Sequence, residues 1–307
     1  MSKKQQLFEL YVKNLESFRS FPEVTLTTDF DLTNAMVCPI CWRVLYHDDL
    51  IRRDVTLEHV PPKSANGRAS TLTCRGCNNL AGTLLDSHVF KQLELESQFS
   101  GKNSKPIKAH LNFREHGQII AFLTAHNGNF RIVTAPKKSN PKAIERLEAH
   151  PSDPPDNVTF DVIMRAWNPN RADIGKMRIA YLIAFSRLGY SLFLNPNVNL
   201  IREQIIKPKE KLLDHLGIFA TEDSYLGVTM VEGPREAQSI LVSFRLSTGM
   251  HERSYLVVLP APHLSYSQSI QWWSNNVGKS VSLNIERVID SYPLDNPLYA
   301  HRYWDAV

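Results

Sequence analysis

Two cysteine pairs, Cys38/Cys41 and Cys74/Cys77, bracket a carboxylate set directly beside a histidine, Glu58–His59. Each C-x2-C pair can turn two thiolates onto one zinc ion from a tight knuckle, and the two pairs together complete a tetrahedral all-thiolate set. Four thiolates leave no open coordination position, so this zinc is expected to be structural. The alternative, four unrelated buried thiols, leaves the two matched spacings unexplained. The interval between the pairs exceeds that of a simple zinc finger, so an inserted substructure carrying Glu58–His59 is expected between the knuckles. With all four thiols committed, no cysteine or serine nucleophile is suggested.

The residues converging on this clamp are Glu58, His59 and Asn78, with Asn79, Arg75 and Lys63 close in sequence. A carboxylate and an amide oxygen are hard ligands that suit Mg²⁺ or a similar ion. A histidine of ordinary pKa, about 6.5, can take a proton from water at neutral pH. Metal, histidine and nearby cations together suit phosphodiester hydrolysis. Each residue also has a plainer reading. Glu58–His59 can be an exposed pair on an edge strand, and Asn78 a helix N-cap. Asp86 and His88 fit a solvated helix face better than the site. Arg52, Arg53, Lys63 and Arg75 are as readily surface cations as phosphate contacts.

The string "LEHVPPKS", followed by "LTCRGCNNLAG", resembles the HNH endonucleases of the subgroup built on zinc knuckles. The resemblance covers roughly Cys38 to Phe90, under a fifth of the chain. It implies a ββα-metal module, two strands and a helix around one divalent ion. Carried over, His59 is the general base, Glu58 the acidic metal ligand and Asn78 the second ligand, with one catalytic Mg²⁺ or Mn²⁺ beside the structural zinc. The expected products are a 5′ phosphate and a 3′ hydroxyl. The middle asparagine of the motif is missing from "RASTLT", so Ser70 or Thr71 is expected to brace the loop instead.

These residues need elements to hold them. "RRDVTLEHV" alternates as a strand ending near His59, and Pro61–Pro62 stop any helix. "PPKSANGRAS" is a loop. After Cys77, helical spacing at Leu80, Leu84 and Phe90 predicts a helix, weakened at Gly82. Upstream, residues 4 to 18 read as a helix and "FPEVTLTTDFDLTN" as extended or irregular. Downstream, Asn127-Gly128 predicts a hairpin turn between apolar strands. The clearest helix, around "NRADIGKMRIAYLIAFSRLGY", has Asn170 as cap, a stripe through Ile174, Met177, Tyr181, Phe185 and Leu188, and Gly189 as its end. Short strands follow near "YLGVTMV", "SILVSFRL" and "SYLVVLP".

Length, 307 residues, suggests two domains. The polar stretch Ser97 to Pro106 places the boundary. Residues 1–105 are expected to form the zinc-knuckle nuclease domain, able to fold alone, and 106–307 a larger mixed α+β domain that recognises substrate or partner. The fold class is α+β. A net charge of +4 permits a nucleic-acid partner without demanding one. Basic clusters at Lys137, Lys138, Lys142 and Arg146, and at Arg202, Lys207, Lys209 and Lys211, can track a DNA backbone or be ordinary solvated faces. Trp272-Trp273 and the tail "LYAHRYW" fit core packing better than base stacking. No signal peptide or membrane-length apolar run is seen, and the protein is expected in the cytoplasm. The functional expectation is a metal-dependent DNA endonuclease. Its expected setting is anti-phage defence or restriction, with DNA and proteins of such a system as partners. The alternative is a zinc-ribbon nucleic-acid-binding or scaffold protein with a silent nuclease site.

Overall fold

The computed structural model describes residues 1–21, 24, 30–100, 106–113, 117–126, 129–149, 160–163, 167–221, 225–248 and 251–288. The fold is mixed α+β with antiparallel sheets. The chain forms two compact units: Met1–Val89 with Pro169–Ser247 and Glu252–Val307, and Phe90–Asn168 with Thr248–His251. The sequence reading put one boundary near residue 105. The compact units instead divide near residue 90, and the chain returns to the first unit at Pro169. The reason is packing: helices beyond residue 169 supply the core around the cysteines.

The first unit opens with α1 (Lys3–Arg19), whose Ser2 and Gln5 form a capping box. Phe8, Tyr11, Leu15 and Phe18 give it one buried face. Strands β1 (Ala35–Val37) and β2 (Val44–Tyr46) pair around the first knuckle, and a short α2 (His47–Ile51) follows. Strands β3 (Val55–Val60) and β4 (Arg68–Cys74) form an antiparallel hairpin leading directly into α3 (Arg75–Ala81). A π-helical turn, Gly82–Asp86, then joins α4 (Ser87–Phe99). That turn adds a residue to the helical repeat. The buried positions are therefore Ala81, Leu85 and Val89 rather than Leu80, Leu84 and Phe90; Leu80 is exposed.

The second unit holds β5 (Ile107–Phe113), β6 (Gly117–His126), β7 (Asn129–Thr134), α5 (Pro141–Glu148) and β8 (Phe160–Ile163). Its antiparallel sheet runs β7-β6-β5-β8. The β6–β7 ladder closes with His126 opposite Asn129, as the hairpin reading expects, although residues 127–128 lie outside those described. Ala109, Leu111, Ile119, Ala121 and Leu123 meet Ala143 of α5 in its core.

The first unit resumes with α6 (Pro169–Leu188) and α7 (Pro196–Ile206). All five stripe residues of α6 are buried, and Gly189 ends it in the left-handed region at φ 60°. The helix starts at Pro169, so Asn170 lies in its first turn rather than at the cap. Burial nearly all round explains why this helix, with the turn to Leu194, is long and apolar enough to resemble a membrane span. Gly175 lets α6 close on the preceding helices: a Cβ there would lie 2.5 Å from Val89 Cγ2. Strands β9 (Ile218–Thr221), β10 (Gly227–Gly233), β11 (Ser239–Ser247) and β12 (Glu252–Pro260), helix α8 (Tyr266–Asn276) and β13 (Asn284–Val288) complete the unit. Their sheet runs β13-β10-β11-β12-β9 and carries α6.

Three side chains from α6 and the segments after it hold the backbone of the first knuckle. The Tyr190 hydroxyl donates to Val37 O (2.9 Å) and accepts from Val37 N–H (2.8 Å). Tyr181 donates to Pro39 O at 2.5 Å, and Arg202 Nη1 donates to Ile40 O at 2.9 Å. Burial pushes both phenols well above the ordinary tyrosine range, so they stay protonated donors. A chain shortened at Lys105 loses all three donors and uncovers Tyr11 and Leu15. Expressed alone, it should be insoluble or unfolded by circular dichroism. A soluble fragment with native-like zinc content would show that the first knuckle needs none of them.

Candidate functional site

The two knuckles meet. The Sγ atoms of Cys38, Cys41, Cys74 and Cys77 all lie within 4.8 Å of one another, with Cys41 and Cys74 3.6 Å apart. Four sulfurs at about 2.3 Å from a tetrahedral zinc stand about 3.8 Å apart, so the spacing matches. The backbone is arranged for thiolates. Cys74 N–H donates to Cys38 Sγ (3.3 Å), and Cys77 N–H to Cys74 Sγ (3.4 Å), which caps α3. Hydrogen bonds among the four sulfurs split their acidities: Cys74 is held well below the ordinary thiol range and Cys41 drawn down to about 7, while Cys38 and Cys77 are pushed up. The donor set is therefore compatible with a zinc ion. Beside it, Trp42 adopts φ 62° and lies over Arg202, whose guanidinium carbon is 3.8 Å from the ring centroid.

Glu58 and His59 sit on the strand between the knuckles, where a strand was expected. Glu58 faces Thr71 across the ladder, and His59 faces Ala69, so Ser70 is an extra residue on β4. Adjacent residues on a strand leave it on opposite faces. Glu58 is only 4% exposed, whereas His59 is half-buried. The His59 imidazole has no hydrogen bond or ion pair among the described residues.

Glu58 is already engaged. Its Oε1 lies 2.9 Å from Arg178 Nη2 of α6, and its Oε2 accepts from Thr73 Oγ1 at 3.1 Å. On the other side Arg178 Nη1 lies 3.6 Å from Asp86. The close Arg178 Nη2 is an ion-pair contact without a well-directed hydrogen bond, and Asp86 Oδ1 also lacks one. One guanidinium thus serves a buried carboxylate, Glu58, and a partly buried one, Asp86. Burial raises the Asp86 pKa, Arg178 opposes this, and the Glu58 charge adds to the rise. This arrangement does not fit a divalent ion on Glu58, since a guanidinium already stands against the carboxylate. Among the described residues, the cysteines are the one group of three or more His, Cys, Asp or Glu side chains close enough to share a metal.

The other expectations divide. Asn78 is half-buried and Asn79 exposed on α3, but the cap of that helix is Cys74, so Asn78 is no N-cap. Asp86 is not solvated; it belongs to the Arg178 cluster. Thr71 does not brace the loop, because its hydroxyl pairs with Tyr11 of α1 at 2.8 Å. Arg52 pairs with Asp49, while Arg53, Lys63 and Arg75 are exposed. Lys137, Lys138, Lys142 and Arg146 are exposed, as are Lys207, Lys209 and Lys211. Arg202 leaves that second cluster, being buried beneath Trp42. Trp272 and Trp273 are half-buried on α8, and the aromatic tail lies outside the described residues. Sequence reasoning missed Arg178; its signal is a charge on the apolar stretch of α6 from Met177 to Phe185, which demands a buried partner.

Compared with protein families, with curated proteins and with solved structures, the chain has no match in any of the three.

Two measurements check this geometry. Metal analysis of purified protein should find about one zinc per chain, and Cys74→Ser should lose it and unfold the first unit. Arg178→Met leaves Glu58 and Asp86 buried without a counter-charge. It should cost about 3–5 kcal/mol in urea unfolding, and adding Glu58→Gln and Asp86→Asn should recover much of that.

Proposed function

We propose that the chain is an HNH-type endonuclease that hydrolyses DNA phosphodiester bonds, with His59 as the general base. The observation that carries this reading is the β3–β4–α3 unit, which starts α3 on the cysteine cluster and leaves the His59 imidazole unpaired among the described residues. A neutral imidazole there can take the proton of an attacking water. Exposed Lys63 and Arg75 flank the same unit and can meet backbone phosphates. Zinc in the cysteine cluster would be structural, joining β1–β2 to β4–α3. Defence or restriction is the biological setting we associate with such an enzyme.

The roles that the resemblance gives Glu58 and Asn78, ligands of Mg²⁺ or Mn²⁺, find weaker support. Glu58 is spent on Arg178 and Thr73, so no step is routed through that ion. The same pairing favours a second reading, a zinc-ribbon nucleic-acid-binding or scaffold protein whose nuclease site is silent.

Supercoiled plasmid separates the two. The wild-type chain should nick or linearise it with Mg²⁺ or Mn²⁺, and His59→Ala should slow this about 10²–10⁴-fold while keeping DNA affinity and zinc content. A wild type that binds DNA yet leaves plasmid intact with either ion would establish the silent-site reading.

A further inference from the structure

A second feature lies at the loop end of the β3–β4 hairpin. There the loop after β3, α1, α6 and strands β10 to β12 enclose a groove of about 680 Å³, within the range of about 300–1,000 Å³ common for small-molecule sites. All of its lining belongs to the first unit.

Its charge is one-sided. Lys3, Arg68, Arg187 and Arg245 reach it from four different elements, against one carboxylate, Glu252. That carboxylate lies 3.5 Å from Arg245. Lys3 and Arg68 are exposed and have no acidic partner among the described residues. Converging cations raise the local concentration of anions, and a guanidinium fork matches two phosphate oxygens at once.

The wall supplies further groups. Ser70, the extra residue of the bulge, belongs to the lining, with its Oγ turned into the protein rather than into the groove. Leu7, Ile183 and Leu226 give an apolar side, and Leu226 is 47% exposed. The loop that closes this wall has one fixed geometry: a Cβ on Gly67 would fall 1.4 Å from the carbonyl oxygen of Pro61. Cations and an apolar side together suit a ligand with a phosphate at one end and a flat, weakly polar body at the other.

We propose that this groove binds a nucleotide, with Arg68 and Lys3 on its phosphate and the Leu7–Leu226 side against its base. The phosphate has two sources, a free nucleotide or a single strand laid along the groove. The proposal does not depend on the nuclease reading, because His59 is not among the residues that line the groove.

The test uses the full chain at low salt. Adenosine monophosphate and adenosine are titrated by calorimetry, and a short labelled DNA single strand by fluorescence anisotropy. Adenosine monophosphate should bind at least about tenfold more tightly than adenosine, the worth of one hydrogen bond to a charged group. Arg68→Glu and, separately, Lys3→Glu should each weaken binding by at least about tenfold by the same reasoning, with circular dichroism unchanged. His59→Ala should bind as wild type does. If the strand binds and the mononucleotide does not, with the same sensitivity to Arg68→Glu and Lys3→Glu, the source is a strand. The proposal is overturned if neither probe binds, or if both charge reversals bind as wild type does. A failure of His59→Ala to cut DNA bears on the nuclease reading alone.

Discussion

The fixed point of this structure is a stretch of backbone four residues long. Val37, Pro39 and Ile40 present carbonyls inside the protein, and Tyr190, Tyr181 and Arg202 meet them. A buried carbonyl without a donor costs about 1–3 kcal/mol, so a knuckle that turns three of them inward is costly alone. Supplying the donors from α6, the turn after it and α7 makes the first cysteine pair depend on residues far along the chain. The remaining geometry follows from that dependence. α6 must lie against the hairpin, which brings Arg178 to Glu58, and Trp42 must cover Arg202.

What could be read from the sequence was what is local. Two C-x2-C spacings declare a four-sulfur site because each pair is fixed by a few dihedrals. The α6 stripe and its end at Gly189 are equally local. The reading failed where a residue's environment is set by a distant segment. Arg202 looked like one more cation beside Lys207 and Lys209, because nothing near it in sequence announces Trp42. Asp86 looked solvated because the π-helical turn before α4 shifts the buried face by a residue. The domain boundary failed for a related reason. A polar stretch marks where one unit pauses, but composition does not reveal that the chain comes back.

The hairpin itself acts as a partition. One side carries a half-buried imidazole, unpaired among the described residues. The other carries a carboxylate held by a guanidinium. Glu58 and His59 are neighbours in sequence, yet the pleat assigns them to different environments, one with water and one nearly without. Acid–base adjacency in a strand is therefore no guide to shared chemistry. The Glu58–Arg178–Asp86 cluster shows the energetic side of this. Its single guanidinium stands between two carboxylates with imperfect aim, and burial raises the pKa of the one it serves less closely, Asp86.

Because residues 90–168 interrupt the first unit, the order of synthesis conflicts with the order of assembly. All four cysteines leave the ribosome early, while Arg202 follows Cys77 by about 125 residues. At roughly 5–20 residues per second, that is a delay on the order of ten seconds. For that interval the nascent chain presents two reactive thiol pairs and an apolar α1 face without their cover. Zinc held early by one pair would keep its thiols occupied during that wait.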